Sequence, residues 1–237
     1  MGQSYFIWNS ENCRGRGVIL AGPAPIIRGE ERIRHVTIPG RAGDLTQTEG
    51  EDIFNSYIQT VTIKVRGWEH VREIQNWLKG SGWVTFSGEP DRRQKARVIG
   101  AVTLNKHSHN LDWWEGEVQF YCEPLKELLV PMTTTITSSG SAVLNNGDAP
   151  ARPKITATAS STSMTITCGG KTLTITGLTS SGVYVIDCDA QIITNAAGTE
   201  NLTANSSGSF PVLAQGSNAI TGSGWSQLVI DRRERFL

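Results

Sequence analysis

The stretch "YIQTVTIKVRGWEHVREIQNWLKG", residues 57–80, sets the reading of the fold. Its first half alternates: Val61, Ile63 and Val65 fall on one parity, Ile58, Thr60, Thr62 and Lys64 on the other. Period-two alternation of this kind predicts a half-buried strand. The period then changes. Val71, Ile74, Trp77 and Leu78 share one face of a helix, while Glu69, Arg72, Glu73 and Gln75 fall mostly outside it. Gly80 is a natural stop. This is the one helix the pattern supports.

Outward from that stretch the signals are β-type. "WVTFSG" (83–88) reads as a strand and "EPDRR" (89–93) as a turn. A long strand is expected from about Lys95 to Leu104, with Gly100 marking a bulge. "NKHSHN" (105–110) turns the chain and "DWWEGEVQFYCEP" (112–124) returns it. Val118, Phe120 and Cys122 face one way, Glu117, Gln119 and Tyr121 the other, and Pro124 is expected to end the strand.

Composition changes near residue 130. Between 131 and 230 only Asp148, Arg152, Lys154, Lys171, Asp187, Asp189 and Glu200 carry charge. Short Thr-rich runs, "KITATAS", "SMTITCGG", "KTLTITGL" and "GVYVIDCD", are separated by turn signals, the spacing of a β-sandwich. Exposed Thr suits a strand because it is β-branched yet hydrated. The expected organisation is a first domain over 1–130, a linker over 131–145 and a sandwich over 146–225, with the charged tail 226–237 rejoining the first domain.

The 237 residues carry 22 cationic and 22 anionic side chains, a formal net charge of zero. That argues against a general binder of nucleic acid or membrane surfaces, whose affinity comes from excess cations. No segment reads as a signal peptide, and no apolar run approaches the roughly 20 residues that span a bilayer. A cytoplasmic folding compartment is the expectation. Cys168 and Cys188 lie on separate expected strands and could touch, but a reducing compartment disfavours a disulfide.

Candidate chemistry is thin. "HVTIPGRAGDL" (35–45) sets two glycines around Arg41, yet lacks the Gly-Lys-Ser/Thr of a P-loop and the helix that a dinucleotide site requires. It reads as a turn feeding a polar loop. His107 and His109 form an H-x-H at a hairpin tip, two ligands where structural zinc usually has four. Asp187 and Asp189 share one side of a strand, so they do not straddle a bond as glycosidase carboxylates must. No nucleophile motif accompanies the histidines. Trp225 is the lone tryptophan of the second half and a weak platform for a sugar. No cofactor, metal centre or enzymatic activity is expected.

The ordered set "VTIPGRAGDL", "WLKGSGWVTFSGEPD", "EVQFYCEP", "NNGDAPARPKI", "VYVIDCDAQ", "GSFPVLAQGSNAI" and "DRRERFL" resembles the distal tail protein family of siphophages across nearly the whole chain. The resemblance implies a mainly β protein. Its first domain would be β-sandwich-like, tail-tube-related and carry one α-helix; its second would be a galectin-like β-sandwich. It further implies a homohexameric ring at the tail tip or baseplate, assembled in the host cytoplasm, with an arm lapping onto the neighbouring subunit. The implied partners are the tail-tube protein, a tail-tip or tail-associated protein, and receptor-binding proteins. On that footing Pro39, Gly40, Arg41, Gly43 and Asp44 are expected at the contact between subunits. A carbohydrate-binding adhesion module and another tube or hub subunit of a tail-like particle are the alternatives.

Overall fold

The computed structural model describes residues 4–48, 50, 53–107 and 112–237. The chain divides into two compact units, Met1–Leu129 with Leu237, and Val130–Phe236.

Among the described residues the first unit has strands β1 to β10 and one α-helix. β1 (Phe6–Trp8) and β2 (Glu11–Asn12) form a hairpin; a 3₁₀ turn, Cys13–Arg16, leads to β3 (Val18–Leu20). β4 (Ile33–Val36) and β5 (Leu45–Thr48) form a separate ribbon. β6 (Tyr57–Arg66) runs into α1 (Trp68–Trp77), followed by β7 (Ser81–Phe86), β8 (Arg92–Ile99), β9 (Leu104–Lys106) and β10 (Trp113–Leu128). The main sheet has the order β2-β1-β7-β8-β10-β6-β3, and β9 also pairs with β10. This order forces curvature. Laid flat, the six gaps between its outermost strands would span about 29 Å at the usual strand spacing. The chain from Asn12 to Val18 reaches at most about 21 Å even when fully extended. The sheet therefore curls until its two edges approach, and the apolar parity faces inward.

Phe120 is fully buried at the centre of that core. Phe6, Trp8 and Phe86 lie 5.5, 5.5 and 5.7 Å from it, centroid to centroid, and Trp77 stacks on Phe6. Helix α1 docks through Ile74 and Leu78, both buried, with Val71 and Trp77 beside them, on the face predicted from its periodicity. Each such aliphatic side chain contributes about 1.5–3 kcal/mol by leaving water.

Two expectations are corrected here. The strand expected over 95–104 is broken at residues 100–103; β8 and β9 border the same side of β10 in succession. Pro124 does not end β10. It sits where four steps of β10, from Cys122 to Lys126, oppose two steps of β8, from Ala96 to Gln94. An irregularity of this kind tolerates a residue without an N–H.

The second unit is a β-sandwich. Its strands are β11 (Thr133–Ile136), β12 (Ser141–Asn145), β13 (Lys154–Ala159), β14 (Ser163–Cys168) and β15 (Lys171–Thr176). They continue as β16 (Val183–Asp187), β17 (Ile192–Asn195), β18 (Ser206–Gly208), β19 (Gly216–Ser223) and β20 (Trp225–Asp231). One sheet is ordered β11-β20-β13-β16-β17, the other β12-β19-β14-β15-β18. Ile155, Ile186 and Ile230 from the first and Met164, Ile166 and Ile175 from the second are fully buried in a single core. Thr165, Thr167, Thr172 and Thr174 alternate with those core residues on the opposite parity, as expected for hydrated strand faces.

The linker expected over 131–145 is strand: it supplies β11 and β12, with Ile136, Val143 and Asn145 buried. Ser- and Thr-rich composition fits coil and exposed strand equally well. Of the tail expected over 226–237, the first part is β20, which lies between β11 and β13 in the second unit's sheet, while Leu237 groups with the first unit. The charges beyond β20 pair locally. Arg233 grips Asp187 with both terminal nitrogens, at 3.2 and 3.0 Å, and Arg235 reaches Asp189 at 2.9 Å. The alternate pair turns inward: Arg232 donates to Leu144 O, and buried Glu234 accepts from Asn146 N at 3.2 Å.

Candidate functional site

The residues singled out around Arg41 form the tip of the β4–β5 ribbon. Its strands, IRHV and LTQT, pair from Ile33 with Thr48 to Val36 with Leu45. "TQT", expected in a loop, is therefore the second strand of an arm. At the tip Arg41 N–H donates to Ile38 O at 3.1 Å. Pro39 and Gly40 are the central residues, and Gly40 has φ +83°. That is a type II turn: proline presets the first central φ, and the positive φ at the second is strained for any residue but glycine. Thr37 Oγ1 then donates to Asp44 Oδ1 at 2.8 Å and closes the base of the tip. The structure thus brings Pro39, Gly40, Arg41, Gly43 and Asp44 together.

The arm presents a mixed surface. Ile33 and Ile38 are 40% and 37% exposed. Arg34 and Arg41 are exposed, and neither pairs with a carboxylate among the described residues. A two-stranded ribbon is marginally stable by itself in water. One carrying aliphatic side chains and unpaired guanidinium groups is suited to lie against another surface, where Arg and apolar contacts contribute together.

The other candidates are accounted for without a site. His107 Nδ1 lies 2.8 Å from Glu115 Oε2; His109 falls outside the described residues. Among the described residues no three His, Cys, Asp or Glu side chains gather as a metal centre. Asp187 is engaged by the tail: burial opposes its ionisation, but N–H bonds from Ala190 and Asp189 and the Arg233 fork outweigh it and hold the carboxyl below the usual range. Trp225 is 9% exposed, and its indole N–H donates to Thr165 O at 3.2 Å, so it offers no face to a sugar. All four cysteines are free and buried. Burial pushes the Cys168 thiol up to about 11 and the Cys188 thiol up to about 12, which makes them inert rather than nucleophilic.

Sequence reasoning missed the arm's root. Lys126 is only 4% exposed and bonds Ile27 O and Glu89; Gln59, also buried, donates to Pro25 O. The only signal was the inward parity of Gln59 beside Val61 and Ile63.

No protein-family model matches the chain. Nor does any curated protein match it significantly. Among solved structures it is similar to the SPP1 Dit (gp 19.1) protein, described as a paradigm of the hub adsorption apparatus in phages that infect Gram-positive bacteria; the TM-score is 0.80 at 18% identity, over 100% of both chains. The chain has the Dit fold. Both units fall within that likeness, since it spans the full length of each chain. At this identity the likeness is one of backbone architecture, and the side chains of the arm are this chain's own.

Proposed function

We propose that this chain is a structural hub protein of a phage tail. Six copies form a ring around the tail channel at the tail tip or baseplate. The ring joins the tail-tube protein to tail-tip or tail-associated proteins and anchors receptor-binding components. The observation that carries this reading is the full-length likeness to a protein of the hub adsorption apparatus. The arm supports it: an extended ribbon with exposed Ile33, Ile38 and Arg41 is a suitable element for one copy to lay on the next. Ring closure requires such a heterologous contact, one patch meeting a different patch. The balanced charge of the chain suits contacts that set register more than affinity. In this reading the protein is not an enzyme and needs no cofactor.

Light scattering tests it. Six chains of 25.8 kDa give a particle of roughly 155 kDa, and electron microscopy should show rings with a central hole. A particle that stays at the mass of one chain, with no rings at high concentration or with tail-tube protein added, overturns the proposal.

A further inference from the structure

The arm leaves the first unit through "AGPAPIIRGEER", residues 21–32. Two prolines stiffen this strap and remove N–H donors, so it is held largely through its carbonyls. Two side chains from the sheet reach them. Gln59 Nε2 donates to Pro25 O at 2.6 Å, and Lys126 Nζ donates to Ile27 O at 2.9 Å. The same ammonium lies 2.6 Å from Glu89 Oε2, and the other oxygen of Glu89 accepts from Arg92 Nη1 at 3.1 Å. Just beyond, Gly29 presses on Pro124: a Cβ at Gly29 would stand 2.8 Å from Pro124 Cβ. The irregularity in β10 is what brings Pro124 and Lys126 to these two points of the strap.

A lysine almost completely out of water is costly unless its charge is paired and its remaining protons are bonded. Here the pairing partner is Glu89 and one of the other protons goes to the strap. Past this point the strap rejoins the body through two backbone bonds, Arg32 N to Ile53 O at 2.8 Å and Asn55 N to Glu30 O at 2.7 Å, and through Arg32 Nε, which donates to Asn55 Oδ1 at 3.0 Å. Everything from Ile33 to Thr48 extends beyond them as the ribbon.

We infer that Lys126 is the positioning residue of the arm: by fixing the Ile27 carbonyl against Glu89 it sets where the strap crosses the sheet, and so the direction in which the β4–β5 ribbon leaves the body. Its value to assembly rests on the ring reading above. The latch itself does not.

The test uses the full chain. K126M alone would leave Glu89 partly unpaired and risk the fold, so the informative variant is K126M/E89Q, with Q59L as an independent second anchor. Spin labels on A42C at the tip and E117C on β10 report the arm's direction, since the four native cysteines are buried. The unaltered protein should give one narrow distance distribution, and K126M/E89Q one at least twice as broad. Hydrogen exchange over 24–32 should speed up at least tenfold, with exchange over 163–176 in the second unit unchanged. Ring assembly should need at least tenfold more protein. Unchanged strap exchange and an unchanged distribution would overturn the latch. A broader distribution with assembly at the original concentration would overturn its role in positioning. If the unaltered protein forms no ring, the hub reading fails, while exchange and distance still decide the latch.

Discussion

The two units dispose of their polar groups differently. In the second, the ionic side chains close on each other: Arg233 and Arg235 take Asp187 and Asp189, and Arg232 and Glu234 turn inward together. Its exposed strand faces are largely neutral Thr and Ser. In the first, a buried lysine and glutamine are used to hold a strap, and the ribbon beyond it carries exposed isoleucines and guanidinium groups with no carboxylate partner among the described residues. One unit completes its own surface. The other extends a ribbon whose exposed side chains suit contact with another surface, the property that the proposed ring would use.

The largest expected effect tests whether the first unit's core is its own. Phe120→Ala removes the ring that Phe6, Trp8 and Phe86 surround and should destabilise the first unit by about 3–5 kcal/mol. Denaturant unfolding should show that loss while the second unit's transition stays in place. A matching loss in both would merge what the comparison separates.

A smaller effect probes the tail clamp. The folded Asp187 carboxyl titrates below its unfolded value. Its stabilisation is therefore fully present above the unfolded carboxylate pKa, about 3.9, and is lost as pH falls through the folded value. Asp187→Asn should cost the second unit about 1 kcal/mol at neutral pH and flatten its stability as pH falls below the unfolded carboxylate pKa. Equal acid sensitivity in variant and parent would show that the clamp contributes nothing.

Arg41→Ala should leave folding within about 0.5 kcal/mol, as exposed substitutions do, yet weaken ring assembly measured by light scattering. An unchanged particle would remove Arg41 from the interface. The smallest response belongs to the cysteines. With thiols buried and Cys122, Cys168 and Cys188 pushed up to about 12, 11 and 12, a thiol reagent at pH 8 should find almost nothing until the chain is unfolded. Fast labelling of any one would mean that its unit opens more readily than its core suggests.

Much of this was legible in the residues. Val71, Ile74 and Leu78 placed the helix and its buried face, and Val61, Ile63 and Val65 the inward parity of β6, because both patterns follow from local geometry. The strands β11 and β12 were not legible, since Thr and Ser suit exposed strand and coil alike and only Ile136 and Val143 betray an inner face. The pairing of the tail's charges was not legible, because the partners of Arg233 and Arg235, Asp187 and Asp189, are distant in sequence and adjacent in space. In the arm, the Pro39-Gly40 turn was visible; its return strand, with Leu45 as the lone aliphatic, was not. Lys126 reads as surface in any pattern, and its burial follows from the irregular register around Pro124.

The placement of β20 has a consequence for synthesis. It is the innermost neighbour of both β11 and β13, yet it comes last among the strands of its sandwich. Those two strands cannot be bridged until residue 231 has left the ribosome. From residue 130 that is roughly 100 residues of elongation, about 5–20 s at bacterial rates of 5–20 residues per second. For that interval β11 stands alone and the partial sheet β13-β16-β17 keeps an open edge at β13.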